Sequence, residues 1–303
     1  MGFKTIIALF SILFLTSLIF FYFIPFNQIN FSAQPTNSNF SIEGNSSMQY
    51  YSNLRFSGPN ISYQISNCPL QKQNEMISAL NIIENSTILK FYSVNHDEEI
   101  SITCEEKNIP GENLGYFIAG EGGPTNIIRS GNFALIKNGQ IMLIRNSNCP
   151  KPNIAIHELL HVLGFPHSTN SENVMYNITH CDQTIGDDTI QLINNLYSIP
   201  SYSDLSLGNV SAIMEGRLLN LNVTIENGGL VEAGNSTLQI YADGNLIKEL
   251  NLDSINAGYG RIVHMENVWV SQINVKEIQL VVVSRFNELD KENNKINLEI
   301  NKV

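Results

Sequence analysis

The stretch HELLHVLGFPH, residues 157–167, gathers three of the chain's six histidines and one glutamate within eleven positions. On a helix, positions i and i+4 stack on one face a turn apart, so His157 and His161 can aim two imidazole nitrogens at a single point. Glu158 is offset by one residue and lies beside that axis, within reach of a water held there rather than of the ion. Gly164 follows three residues after His161, where a helix ends cheaply on a left-handed residue. Pro166 stops the helix and favours an extended approach for His167 as a third ligand. Three neutral imidazoles leave one position of a tetrahedral Zn2+ open, which is the catalytic rather than the structural arrangement. With a carboxylate alongside, the chemistry is metal-assisted hydrolysis with Glu158 as general base. The bland alternative is a core helix of Leu159, Leu160, Val162 and Leu163 with stray surface histidines. It leaves the fixed offsets of the histidines, glutamate and glycine unexplained.

Such a helix needs a layer to pack on, and the surrounding sequence supplies one. Residues 70–84 (LQKQNEMISALNIIE) carry Met76, Ala79, Leu80 and Ile83 at helical spacing. ILKFYSV (88–94) and EISITC (99–104) read as strands, and FALIKNGQIMLIR (133–145) as a hairpin turning at Asn138-Gly139. DDTIQLINNLYSI (187–199) opens with acids suited to a helix N-terminus and stops at Pro200. This pattern predicts an α/β or α+β layered domain over residues 49–200. The Gly120-Glu121-Gly122-Gly123 run has no strand-to-helix transition to support a phosphate loop and reads as a loop flanking the substrate. His96, His180 and His264 read as solvated.

The quoted stretch resembles the metzincin signature HExxHxxGxxH, and Met175 in VMY (174–176) stands where those zinc peptidases carry their Met-turn. Ser168 after the third histidine, the Met175-Tyr176 pair and a late helix ending in Leu196-Tyr197 are most similar to the matrixin branch. The resemblance spans roughly residues 85–200 and is specific over 157–176. It implies an α+β domain with a twisted, mostly parallel sheet and a long active-site helix. It also implies one catalytic Zn2+ on His157, His161 and His167, Glu158 as the catalytic residue, and a protein or peptide substrate. The chain departs from the pattern in places. Leu160 replaces the glycine usual before the second histidine, and Asn177 stands where many relatives have proline. Asn67-Cys68-Pro69 lacks the flanks of a PRCGxPD segment, so the family's usual latency device is expected to be absent. The matrixin structural zinc and calcium sites do not map onto this shorter upstream region, so Ca2+ is a candidate cofactor without assigned ligands. Tyr176 adjoins the methionine rather than lying two residues beyond it, and receives no transition-state role.

Composition bears on partners and compartment. A net charge of −11 over 303 residues, with no basic stripe, argues against nucleic acid. From Thr5 to Ile24 there are 20 residues without a charge, enough as a helix to cross a hydrocarbon core of about 30 Å. Lys4 on the short leading side predicts a single-pass signal anchor over 1–25, N-terminus cytoplasmic and the remainder outside. A cleaved signal peptide with secretion is the alternative. Either route exports the chain. Cys68, Cys104, Cys149 and Cys181 agree, forming an even set suited to two disulfides in an oxidising space. Three pairings are open, of which Cys149–Cys181 would brace the histidine segment. Residues 26–48 are Asn- and Ser-rich and read as a flexible polar stalk.

Past Pro200 the pattern is purely β. Leu219, Leu221, Val223 and Ile225 alternate on one face, and Asp243-Gly244 marks a hairpin turn. Residues 205–303 are therefore expected to form an all-β, immunoglobulin-like sandwich. VTIENGGLVEAGNSTLQIYADGNL (223–246) and DKENNKINLEI (290–300) resemble the CARDB family of cell-surface modules, which implies a spacer or a contact with cell-surface components. The acids at 290–292 read as a turn closed by Asx hydrogen bonds. The expectation for the whole is an outward-facing, membrane-anchored zinc endopeptidase. The alternative from another class is an adhesion or structural protein that keeps an inactive metalloprotease fold.

Overall fold

The structure, a computed structural model, describes residues 3–23, 28–33, 48–106, 110, 118–144 and 149–300. In chain order it contains α1 (Phe3–Phe23), β1 (Gln28–Ala33), β2 (Leu54–Phe56), β3 (Asn60–Ile65), α2 (Leu70–Ser86), β4 (Lys90–Ser93) and β5 (Ile100–Cys104). There follow β6 (Gly120–Ser130), β7 (Phe133–Leu143), α3 (Asn153–Val162) and α4 (Asp187–Ser198). The last seven strands are β8 (Leu205–Glu215), β9 (Leu218–Asn227), β10 (Ser236–Ala242), β11 (Asn245–Leu252), β12 (Gly260–Trp269), β13 (Glu277–Val283) and β14 (Lys295–Ile300). The chain divides into two compact units, one of residues 41–202 with 229–231, the other of residues 1–40, 203–228 and 232–303.

The first unit is built on a six-stranded sheet in the order β2-β7-β5-β3-β4, parallel throughout, with β6 antiparallel along β7. Strand β7 is long enough to serve two neighbours in succession, Leu54↔Ala134 beginning its pairing with β2 and Ile100↔Gly139 its pairing with β5. The hairpin expected at Asn138-Gly139 is absent. Those two residues lie inside β7, and the reversal falls earlier, between Ser130 and Phe133, with Gly131 at φ 54. Gly139 is needed for space: a Cβ there would sit 2.4 Å from Cγ1 of Val162 on α3. Met76, Ala79, Leu80 and Ile83 of α2 join the core, as their spacing predicts. Arg55, fully buried, donates from Nη1 to the carbonyls of Leu196 and Ile199, holding a cation at the C-terminal end of α4 where the helix dipole favours it.

In the second unit every strand pairing is antiparallel, in the order β11-β10-β13-β14-β1-β8-β9-β12. Burial alternates along β9, β10 and β13 because successive side chains point to opposite faces, and the inward set forms one core. Asp243-Gly244 makes the β10–β11 turn with both residues at positive φ, 44 and 77, as a type I′ turn requires. Gln28–Ala33, expected to be flexible stalk, is instead β1. It pairs with β14 on one side and β8 on the other and buries Phe31 in the core. A six-residue strand with two distant partners satisfies its backbone at both edges. The rest of the expected stalk, 26–27 and 34–47, lies outside the described residues.

The apolar N-terminal run forms α1, and its described side chains, residues 5–19, are almost all exposed. Among the described residues no helix is long and apolar enough to cross a membrane. The structure therefore does not support the transmembrane expectation.

Phe31→Ala should weaken the β unit by about 3–5 kcal/mol, the usual loss for a buried phenylalanine. The single tryptophan, Trp269, lies in β12 and reports that unit. Its fluorescence in a urea titration should show an earlier transition.

Candidate metal centre

Helix α3, ten residues and so shorter than the long helix expected, carries His157, Glu158 and His161, and nearly all of it is buried. It ends as the sequence predicts. Gly164 sits at φ 100, its N–H donates to the His161 carbonyl at 3.0 Å, and the Phe165 N–H reaches back to Leu160 at 3.1 Å. This pair of bonds is the Schellman closure, which turns the chain out of the helix and toward His167.

The two helical imidazoles are fixed from behind. His157 Nδ1 donates to the Val174 carbonyl at 2.7 Å, and His161 Nδ1 to the Phe165 carbonyl at 2.7 Å. A carbonyl only accepts, so both rings carry their proton on Nδ1 and present a bare Nε2. Those Nε2 atoms face one another 3.0 Å apart. The His161 ring is pushed down to about 4, first by burial and then by its neighbour His157, and burial lowers His157 as well. No proton bridges the two at neutral pH, so the facing lone pairs call for another cation. His167, exposed, completes the set. One nitrogen from each ring lies within 4.8 Å of the others, and this is the group suited to a metal among the described residues. A tetrahedral Zn2+ at about 2.0–2.1 Å from each nitrogen would hold its ligands about 3.3 Å apart; the helical pair, 3.0 Å apart, is near that spacing, and three neutral imidazoles are a donor set that suits the ion.

Glu158 is buried beside them. Burial, reinforced by the charge of Glu121, pushes its carboxyl up to about 8. Met175 occupies a tight turn in which the Tyr176 N–H bonds the Asn173 carbonyl at 2.9 Å and the Asn173 side chain accepts from the Met175 N–H at 2.8 Å. The same turn supplies the Val174 carbonyl to His157, so the methionine turn and the first ligand are mechanically joined. The Cys149–Cys181 disulfide closes the loop that contains α3 and all three histidines, and Cys68–Cys104 forms the second bridge. Asn153 Nδ2 donates to the His180 carbonyl, tying the start of α3 to the end of that loop.

His180 itself is exposed, while His96 and His264 pair at the surface with Asp97 and Glu266. None of the three joins the cluster. Tyr50 was not anticipated: its hydroxyl lies 3.0 Å from Nδ1 of His161, and its N–H binds the Gly164 carbonyl at 3.0 Å. Burial and the nearby Glu158 raise its pKa. No spacing rule could find a partner 111 residues away.

A mostly parallel sheet with a buried helix bearing two ligands and a glycine-turned third defines a metzincin-type metal centre. Comparison with known proteins specifies it further. Residues 55–198 match the family described as Matrixin, and residues 203–298 match the CARDB family. The chain therefore carries a matrixin-type zinc metalloprotease domain followed by a CARDB domain. No curated protein matches it. Among solved structures it is similar to high choriolytic enzyme 1, a hatching-enzyme zinc-protease from Oryzias latipes. The identity is 17% and the TM-score 0.30, over 54% of this chain and 99% of that one. Myroilysin shows 9% identity and a TM-score of 0.32, over 47% and 82%. A CARDB domain from Pyrococcus furiosus, solved in complex with di-metal ions, shows 16% identity and a TM-score of 0.27, over 32% and 88%.

Removing a fixed ligand should empty the site. Outer-shell changes alone weaken metal binding by about 10- to 100-fold, and His157→Ala should exceed that in a competitive zinc titration. His180→Ala should bind zinc as the unaltered chain does.

Proposed function

We propose that this protein is a zinc-dependent endopeptidase acting outside the cytoplasm, with Zn2+ held by His157, His161 and His167 and Glu158 as its general base. The observation that carries the reading is the pair of Nε2 atoms 3.0 Å apart, each ring bound through Nδ1 to a backbone carbonyl, with a buried carboxyl one residue along the same helix. When bound, Zn2+ supplies Lewis acidity, polarising a scissile carbonyl and acidifying water at its open position. The chain's own groups do the rest. The carbonyls of Val174 and Phe165 hold the two ring orientations, so the ligand geometry does not reorganise during the reaction. Glu158 sits too far round the helix to take the place of a ligand. With a cation at the three histidines to offset the burial and the Glu121 charge that raise it, its carboxylate accepts the proton of the attacking water and returns it to the leaving amine, so no covalent enzyme intermediate forms. The Met175 turn underlies the site by fixing the Val174 carbonyl.

Glu158→Ala should keep stoichiometric zinc and lose about 10²–10⁴-fold in kcat/KM on a peptide library, the usual range for a general base. Undiminished cleavage would remove Glu158 from the mechanism. A zinc-replete wild-type chain that cleaves nothing would instead favour an adhesive or structural role.

We place the protein at the cell membrane, with α1 as its anchor and the catalytic unit outside. The reading is supported by the exposed apolar side chains of α1, among them Phe10, Leu13 and Phe14, which water would not favour. Two disulfides, which persist in oxidising compartments, agree with export. After alkaline carbonate extraction the full chain should remain with the membrane pellet, and a chain lacking residues 1–25 should be released. Release of both would mean the N-terminal segment is cleaved.

A further inference from the structure

The Gly120-Glu121-Gly122-Gly123 run opens β6, and its three glycines meet three different surroundings. A Cβ at position 123 would touch nothing within 4 Å. At position 122 it would fall 2.4 Å from the backbone carbonyl oxygen of Glu158. At position 120 it would fall 2.8 Å from Glu158 Cγ, 2.9 Å from Oε1 and 3.0 Å from Cδ. None of the three is among the glycines at positive φ, so space and not backbone freedom is what sets positions 120 and 122 apart. Residues two apart on a strand share a face, and here that face lies against the turn of α3 carrying Glu158.

We infer that Gly120 is a positioning residue for the general base: its missing side chain is the space that the Glu158 carboxylate occupies. The inference rests on the proposed hydrolytic function. Glu158 is 6% exposed and its carboxyl lies where a Cβ at Gly120 would be, so it is placed by packing. A methyl group at position 120 and the present Glu158 rotamer cannot coexist, because carbon atoms do not approach to 2.8 Å without one yielding. The yielding partner is the far end of a flexible side chain, so the fold should tolerate the change while the carboxylate moves. A displacement of about 1 Å in a reacting group costs on the order of 100-fold in rate.

The test compares Gly120→Ala with Gly123→Ala in the full-length, zinc-loaded chain in detergent. Gly120→Ala should keep zinc stoichiometry, thermal midpoint and KM, and lose about 10- to 100-fold in kcat. Gly123→Ala, whose added Cβ meets nothing within 4 Å, should leave zinc stoichiometry and the Glu158 carboxylate position as in wild type. A crystal structure of the Gly120→Ala chain should show the Glu158 carboxylate displaced, a readout independent of turnover. Glu158→Asp shortens the side chain and vacates the contested space, so adding Gly120→Ala to Glu158→Asp should cost less than about 3-fold. A general effect on the fold would not produce that coupling. Wild-type kcat in Gly120→Ala, or an unmoved carboxylate, overturns the inference and leaves the hydrolytic reading intact. A wild-type chain without peptidase activity overturns that reading first, and the inference with it.

Discussion

Two hydrogen bonds carry the centre of this molecule: His157 to the carbonyl of Val174, and His161 to that of Phe165. Each does more than hold a ring in place. By fixing the proton on Nδ1 it leaves Nε2 a pure acceptor, and the helical offset of four then brings two such acceptors face to face. In an uncharged protein interior that juxtaposition is unfavourable unless a cation lies between. The carbonyls come from the segments that must be ordered for other reasons. One follows the Gly164 turn that ends α3, and the other belongs to the Met175 turn. The site is thus a consequence of how two short loops close around one helix, and the Cys149–Cys181 bridge limits how far those loops can separate.

What the sequence revealed and what it hid follow from the range of the interactions involved. His157, Glu158, His161, Gly164 and His167 interact within one helix and its exit turn, so their offsets contain nearly all the needed geometry. The Asp243-Gly244 turn was legible for the same reason. Asn138-Gly139 carried an equally strong turn signal and misled, because Gly139 answers to Val162 on a helix that begins only at residue 153. Strand β1 was hidden more deeply. QINFSA presents only Ile29 and Phe31 as large apolar residues, and its partners lie about residues 212–215 and 298–300. A short polar segment with remote partners is indistinguishable from a linker until those partners are placed.

The Glu158 carboxyl is held differently from the carboxylates that fix turns and strand ends, such as Glu99, which accepts from the Ser62 N–H at 2.8 Å. In the β unit, Asp290 Oδ1 accepts from the Glu292 N–H at 2.8 Å, and Asp204 Oδ1 from the Asp290 N–H at 3.3 Å and Asn293 Nδ2 at 3.1 Å. Glu288 Oε2 accepts from the Leu205 N–H at 2.7 Å. These acids serve as local connectors, each stitching a turn to its neighbouring strand, as the Asx reading of 290–292 anticipates. Among the described residues no backbone N–H bonds the Glu158 carboxyl; burial and a like charge raise its pKa. A carboxylate engaged by backbone amides is held by them, even where, as at Asp204, burial raises its pKa on balance. One that is packed but not bonded keeps its oxygens available and is costly to ionise in isolation, which is the condition of a group meant to exchange protons.

The three candidate ligands are also unequal, and their inequality says something about how the site is assembled. His157 and His161 are buried, carbonyl-bound and fixed by the helix before any ion arrives. His167 is exposed and has no carbonyl partner of that kind among the described residues; it reaches the cluster from a loop beginning at Gly164. A preorganised pair costs little further entropy on binding, whereas ordering an exposed side chain opposes it. The buried pair therefore defines where a cation enters, and the third imidazole closes over it. That division explains why the glycine turn matters as much as the histidines. Gly164 sits at φ 100, with the position of an added Cβ already taken by Leu54 at 2.6 Å, so a larger residue would redirect the chain that delivers His167 and leave the helical pair intact but incomplete.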